Sequence, residues 1–214
     1  MEFTELQGVM GKEYARLDGE GEEVALAIDE HYMPRFAGDE LPQTKAGIIV
    51  SLADKMDNIV ATFSRGLIPT GSQDPFALRR QALGLVNSII KAELSLSLVD
   101  LVSWAMDLLA LTEVKAREKM QTDVADFMRL RLKNVLGEAG IRYDVADAVL
   151  GDIDDIGRVV LAAKAVQEQL SAPDMAKAVQ SFVRAANLAA KAEAAEIDES
   201  LFETDEEREL MKAY

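Results

Sequence analysis

Apolar side chains recur at helical spacing through most of the chain. The clearest run follows Thr122, and its apolar positions are Val124, Phe127, Met128, Leu132, Val135 and Leu136. Steps of three and four residues place side chains on one face of an α-helix. Gly140 follows the run and can adopt the left-handed conformation that ends a helix. The pattern therefore predicts an amphipathic helix that ends near this glycine.

Boundary signals predict further helices on either side of this run. Asp74 followed by Pro75 is typical of an N-cap and a first-turn proline. Thr204 and Glu207 have the spacing of a capping box. With the run above, we predict helices over residues 22–33, 44–64, 75–93, 122–139, 144–150, 154–169 and 173–192, and a short last helix that reaches residue 214.

One apolar stretch, residues 47–52, competes as a β-strand. The residues after it, 53–63, continue the helical period without a turn signal. No repeat appears at the period of a solenoid protein. We therefore predict an all-α fold, built as a helical bundle.

The composition describes a globular protein. Of the 214 residues 49% are hydrophobic and 29% are charged, which excludes disordered and collagen-like classes. The chain has no Cys, no apolar run of the roughly 20 residues that a membrane helix needs, and no basic flank of a signal peptide at its acidic start. We expect a cytoplasmic protein with no membrane-spanning segment.

The net charge of −15 argues against a general nucleic-acid-binding protein and against DNA as a partner. About half of the excess lies in residues 193–209, where nine acids accompany one base. Basic side chains elsewhere fit either a solvated helix face or a phosphate-binding face. These candidates are Arg129, Arg131 and Lys133 in one stretch, and Lys177, Arg184 and Lys191 at seven-residue spacing with Asn187 between them.

Few residues could support acid–base or metal chemistry, because the chain has one His and no Cys. His31 and Asp54 belong to two predicted helices that could face each other and bring the imidazole beside the carboxylate. Such a pair is typical of a structural hydrogen bond. A metal centre would need further ligands, since zinc and iron sites take three or four protein groups. We find no Gly-rich phosphate loop and no nucleophile elbow.

A domain boundary is best placed in residues 111–121, which are charged and weakly patterned. The two helical parts would then be residues 1–112 and 121–214. No cap opens the first segment, and the last predicted helix has barely begun at Tyr214. We expect the chain to be a fragment of a larger protein.

Three longer runs carry a resemblance to a known family. They are LQGVMGKEYA at residues 6–15, HYMPRFAGDELP at 31–42 and PTGSQDPFALRR at 69–80. In order and spacing they resemble the β subunit of bacterial glycyl-tRNA synthetase. The resemblance is strong over residues 1–95 and fainter beyond them.

The resemblance implies an HD-like helical domain over residues 1–112, truncated at its N-terminal side. Its segment LADKMD, residues 52–57, is similar to the last metal-ligand motif of HD phosphohydrolases. The other ligands of that motif set are missing, so His31 and Asp54 are vestigial HD positions. The implied domain has no catalytic residue, no metal site and no cofactor of its own.

The same resemblance implies a helical anticodon-binding-like domain over residues 121–214, truncated at its C-terminal side. Arg184, Asn187 and Leu188 match the Arg, Asn and aliphatic positions of a pattern that recurs in such domains. Val183 and Ala185 depart from it, since they replace the usual Lys and Val.

The function implied by the resemblance is a non-catalytic tRNA-recognition and scaffold region that supports ATP-dependent ligation of glycine to tRNA(Gly). The implied partners are tRNA(Gly) and the α subunit in a heterotetramer, whose holoenzyme would use ATP and Mg, while this fragment alone would be inactive. The expected tRNA-binding residues are Arg129, Arg131, Lys133, Lys177, Arg184, Asn187 and Lys191. Two alternatives stay open: a metal-dependent HD-type phosphohydrolase and a helical docking module for the α subunit.

Overall fold

A computed structural model of the chain describes residues 3–172, 174–190, 197 and 199–213. Within these residues the chain forms ten α-helices and two short 3-10 segments, and the β-type pairing consists of isolated bridges without a strand. The helices are α1 (Val9–Leu17), α2 (Glu22–Glu30), α3 (Lys45–Ser64), α4 (Leu78–Lys91), α5 (Leu98–Leu108), α6 (Val114–Glu138), α7 (Tyr143–Val149), α8 (Ile156–Gln169), α9 (Met175–Ala189) and α10 (Asp205–Ala213). The predicted all-α fold is confirmed.

The chain divides into two compact units. Unit 1 is Met1–Gln167 and unit 2 is Glu168–Tyr214. The boundary within residues 111–121 concerns the two domains that the family resemblance implies, not these two units. It stays a prediction. In the described residues, no helix combines the length and the apolar character that crossing a bilayer requires.

The core of unit 1 lies where α3, α4, α5 and α6 pack together. The predicted apolar face of α6 is buried apart from Val135, which is half-buried. Phe63 of α3 meets Phe127 of α6 edge to face, with ring centroids 5.2 Å apart. Each large apolar side chain buried in this way stabilises the fold by about 1.5–3 kcal/mol. The largest fully buried side chains include Ile59, Leu85, Ile89, Met106, Met128, Leu132, Leu136 and Ile156.

A buried carboxylate fixes the start of α3. Glu30 Oε2 accepts the backbone N–H of Thr44 at 2.9 Å and its hydroxyl at 2.6 Å. Thr44 in turn caps α3, because its hydroxyl oxygen accepts the backbone N–H of Gly47 at 3.0 Å. A Cβ at Gly47 would lie 2.0 Å from Glu30 Oε2, so the close approach of α2 to α3 requires a glycine there.

Several boundaries differ from those we predict. Helix α4 begins at Leu78, not at Pro75. The carboxylate of Asp74 accepts the backbone N–H of Leu78 at 2.8 Å and of Arg79 at 3.0 Å, across a turn closed by Ala77. Helix α6 begins at Val114, eight residues before the predicted start, and α1 and α5 are absent from the prediction.

Unit 2 contains α9 and α10. Its predicted capping box is confirmed, because Glu207 Oε2 accepts the backbone N–H groups of Glu203 and Thr204, each at 2.8 Å. The reciprocal bond runs from the backbone N–H of Glu207 to the Thr204 hydroxyl oxygen at 3.3 Å. Helix α10 starts directly after this box, at Asp205.

Candidate functional site

A cavity of about 270 Å³ opens in unit 1 beside the vestigial HD positions. The turn after α2, one side of α3 and the first turn of α4 form its walls. His31 and Asp54 both line it. We call it the Lys55 cavity, after the buried lysine among its lining residues.

His31 and Asp54 share this cavity without a hydrogen bond between them in the described part of the chain. His31 Nδ1 instead lies 3.2 Å from the carbonyl oxygen of Ala27. Its ring lies beside that of Tyr32, with centroids 3.8 Å apart and the planes tilted by 41°. Asp54 is exposed. The expected structural His–Asp hydrogen bond is therefore wrong, because the imidazole is held by its own helix. No group of three or more His, Cys, Asp or Glu residues that could hold a metal ion occurs among the described residues.

Lys55 is a cation that our sequence reasoning overlooks. Its side chain is 3% exposed, and its Nζ donates to the His31 carbonyl at 2.8 Å and to the Ser51 hydroxyl at 2.6 Å. Burial lowers the pKa of Lys55 to about 8, and the charge of Asp54 opposes that shift. The ammonium therefore still carries its charge at neutral pH. The sequence signal that could have identified it is its place on the buried face of α3, in line with Leu52 and Ile59.

A charged network holds the wall of the Lys55 cavity. Asp29 is buried at 7% exposure, and it forms ion pairs with Lys12 at 2.5 Å and with Arg35. Arg35 also donates to the backbone carbonyl oxygens of Gln7 and Asp29, each at 3.2 Å. The network joins the segments 6–15 and 31–42, two of the three that carry the family resemblance. Removing one partner would leave a buried charge uncompensated, which costs several kcal/mol.

Two of the predicted tRNA-binding cations on α6 already have acidic partners. Arg129 pairs with Asp126 and donates through Nε to the carbonyl of Leu150 at 2.9 Å. Lys133 pairs with Asp147 of α7. Both cations are at the surface, so these exposed pairs stabilise the fold by only about 0–1 kcal/mol. An RNA phosphate could exchange with the carboxylates at little cost.

Arg131 belongs to the interior of unit 1. It is 7% exposed, its guanidinium lies 3.7 Å from the ring centroid of Phe127, and it donates to the Phe127 carbonyl at 2.9 Å. Burial lowers the pKa of this guanidinium. The side chain packs between helices and offers no surface to an RNA phosphate, so we leave it out of the proposed interface.

Helix α9 of unit 2 carries three of the four remaining candidates. Lys177, Arg184 and Asn187 are exposed on α9, and at 3.6 residues per turn they fall within about 80° of one another. We call these three residues the α9 polar face. Lys177 has a loose surface pair with Asp174 at 3.6 Å, and Arg184 has no ion pair among the described residues. Lys191 lies outside the described residues.

The other side of α9 carries apolar side chains that the described residues do not cover. Val179 is 47% exposed and Phe182 is 78% exposed. Helix α9 has no buried residue.

Comparisons with known proteins point to one family. The family model described as "Glycyl-tRNA synthetase beta subunit" matches residues 1–151 of this chain. The matched residues include all three resembling segments and all of the Lys55 cavity.

Individual relatives extend the similarity to the C-terminal part. The chain is 48% identical over 218 residues to the glycine–tRNA ligase beta subunit of Halothermothrix orenii, with 100% of this chain and 31% of that protein covered. It is 43% identical to the subunit of Clostridioides difficile over 100% of this chain and 31% of that protein. It is 47% identical to the subunit of Desulforamulus reducens over 98% of this chain and 30% of that protein. The chain thus spans about 31% of the length of these relatives.

Proposed function

We propose, since the chain belongs to the glycyl-tRNA synthetase β subunit family, that it is a helical tRNA-recognition and scaffold region with no catalytic residue of its own. The match over residues 1–151, together with 48% identity across the whole chain, is the observation that carries this proposal. The reaction supported would be the ATP-dependent ligation of glycine to tRNA(Gly), in the cytoplasm. The holoenzyme would use ATP and Mg.

The α9 polar face is the part of unit 2 that we assign to RNA contact. Lys177 and Arg184 would neutralise backbone phosphates, and Asn187 would donate to or accept from a base or sugar edge. The guanidinium of Arg184 supports this assignment, because it forms no ion pair with a carboxylate in the part of the chain that the structure describes. Lys191 continues the same seven-residue spacing in the sequence and stays in the proposal on that ground.

Arg129 and Lys133 form a second, weaker RNA contact in the proposal. Their carboxylate partners reduce the local positive charge, so each would bind a phosphate only by displacing Asp126 or Asp147. Phosphate contacts of this kind position an RNA without reading its sequence. We therefore expect these residues to add affinity and not specificity.

Bond-making would take place on the α subunit, the proposed partner in a heterotetramer. One observation favours a docking role for the chain beside tRNA recognition: the exposed apolar side of α9, with Phe182 78% exposed. Exposed aromatic side chains are enriched in protein interfaces. The metal phosphohydrolase alternative gains no such support, because the described residues around His31 and Asp54 offer no further carboxylate or imidazole ligand.

The proposal is tested by tRNA(Gly) binding to the assembled α and β subunits in a filter-binding titration at several salt concentrations. Replacing Lys177 and Arg184 together by Ala should weaken binding about tenfold and reduce the slope of log K against log salt by about two. Arg65→Ala is the matched control, since Arg65 is an exposed arginine at the end of α3 outside both proposed contacts. Equal affinities and slopes for the double variant and the control would contradict the assignment of α9.

A further inference from the structure

The three segments that resemble the family converge on the Lys55 cavity. Gln7 comes from the first segment, His31 from the second and Arg80 from the third, and all three line the same space. These residues lie up to 73 positions apart in the sequence, so only the fold brings them together. The function proposed above assigns no role to this cavity.

Hydrogen-bond donors dominate the polar lining. The ammonium of Lys55 has three N–H groups, of which the bonds to His31 and Ser51 use two. Arg80 lines the cavity with no ion pair among the described residues. Asn58 Nδ2 donates to Gln81 Oε1 at 3.2 Å and keeps a second N–H available.

The charges that line the cavity leave a positive excess. Arg35 is compensated by Asp29, and Asp54 supplies the one carboxylate among the described lining residues. Lys55 and Arg80 then outweigh Asp54 by one positive charge. Because Lys55 is buried, its charge acts on a ligand with less solvent screening than a surface lysine would.

We propose that the Lys55 cavity binds a phosphate group, with Lys55 and Arg80 as its charged donors and Asn58 as a neutral one. The volume of about 270 Å³ lies just below the roughly 300–1,000 Å³ of pockets for drug-sized ligands. The ligand is therefore a small phosphate ester, either a free mononucleotide or one nucleotide of an RNA strand. No metal is needed, since guanidinium and ammonium donors bind phosphate directly.

Arg80 and its neighbour Arg79 provide a matched pair of variants. Arg79 donates to the backbone carbonyl of Gly71 at 2.8 Å and does not line the cavity. The 214-residue chain is titrated with inorganic phosphate, and separately with AMP, at constant ionic strength in an NMR experiment. Arg80→Gln should weaken phosphate binding about tenfold, the loss expected for one charge-assisted hydrogen bond, whereas Arg79→Gln should change it less than about twofold.

Asp54 provides a second test, in which a substitution should strengthen phosphate binding. Asp54→Asn removes the one carboxylate among the described lining residues. At about pH 6, where Lys55 keeps its charge even without the support of Asp54, phosphate binding should tighten about threefold or more. Asp57→Asn is the control, because Asp57 is exposed on the same helix and does not line the cavity. Both aspartates are exposed, so these two variants should keep the native melting temperature.

A competition experiment between AMP and tRNA(Gly) distinguishes the two sources of the phosphate. If tRNA(Gly) displaces bound AMP from the chain, the cavity takes a nucleotide of the RNA. If AMP binds with unchanged affinity in the presence of saturating tRNA, the ligand is a free mononucleotide. Absence of saturable binding of phosphate and AMP up to roughly 20 mM, or equal effects of Arg80→Gln and Arg79→Gln, would overturn the proposal while leaving the role of α9 untouched.

Discussion

Lys55 is the residue whose surroundings differ most from those of an ordinary surface lysine. Its ammonium is buried in unit 1 and donates to a backbone carbonyl and a hydroxyl. No carboxylate of the described residues forms a hydrogen bond with it. Removal from water disfavours the charged form, which explains the direction of its pKa shift. The position fits the buried register of α3, so the sequence locates the residue. Its role could not be inferred, because only the fold places it in one cavity with His31 and Arg80.

The stability of the chain should depend on pH through Lys55. Its pKa is about 8 in the folded chain against an ordinary value of 10.5. Between these values the unfolded chain binds more protons, so the free energy of unfolding rises with pH across that window. The cost is fully present below about pH 8 and amounts to about 3 kcal/mol. Lys55→Met removes the titrating group.

Urea denaturation of the native chain and of Lys55→Met measures this effect. The difference between their free energies of unfolding should shift in favour of the native chain by up to about 3 kcal/mol from about pH 7 to about pH 10.5. Lys115→Met serves as the control, because Lys115 is exposed on α6. A difference for Lys55→Met that stays constant over this range, as for the control, would contradict the buried charge.

At the scale of elements, apolar periodicity predicts the long helices. Local capping and turn signals predict the first residue of a helix less accurately. The apolar spacing of α6 and the capping box of α10 are predicted from the sequence and confirmed by the structure. The start of α4 is displaced because Asp74 reaches across a turn, a geometry that the Asp-Pro signal does not specify. Arg131 illustrates a second limit: spacing cannot tell which cation on α6 turns towards Phe127 and which towards solvent.

The junction of α2 and α3 should tolerate no side chain at Gly47. An added Cβ would lie 2.0 Å from Glu30 Oε2 and 2.8 Å from Thr44 Oγ1, so it would displace the buried carboxylate that caps α3. Gly47→Ala should therefore destabilise the chain by about 1–3 kcal/mol. Thermal and urea unfolding measure the loss.

Gly137 provides the matched control within another helix. It lies in α6, and an added Cβ there would meet nothing within 4 Å. Gly137→Ala should stabilise the chain by about 0.5–1 kcal/mol, because alanine loses less backbone freedom in a helix. Opposite signs for the two substitutions are expected. A stabilising Gly47→Ala would show that the cap does not depend on the close approach of α2 and α3.

At the scale of the whole molecule, the uneven distribution of charge explains how a chain of net charge −15 could serve the proposed RNA recognition. About half of the excess acid lies in residues 193–209, while the exposed cations of α9 precede that stretch. The fold class and the family could be inferred from sequence, since periodicity and three long motifs carry them. The Lys55 cavity could not, because it is assembled from residues far apart along the chain.

In the proposed function, this chain recognises tRNA and the α subunit makes the bonds. Those two steps are separable in the assembled enzyme by kinetics. Glycine-dependent ATP–pyrophosphate exchange reports activation of the amino acid, and glycylation of tRNA reports the complete reaction. A change confined to tRNA binding should raise KM for tRNA and leave exchange unaltered.

The most direct test is therefore to measure both rates for the assembled enzyme carrying Lys177→Ala and Arg184→Ala in the β subunit. We predict about a tenfold higher KM for tRNA(Gly), with the rate of pyrophosphate exchange within about twofold of the native enzyme. A loss of exchange equal to the loss of glycylation would contradict the separation of recognition from chemistry.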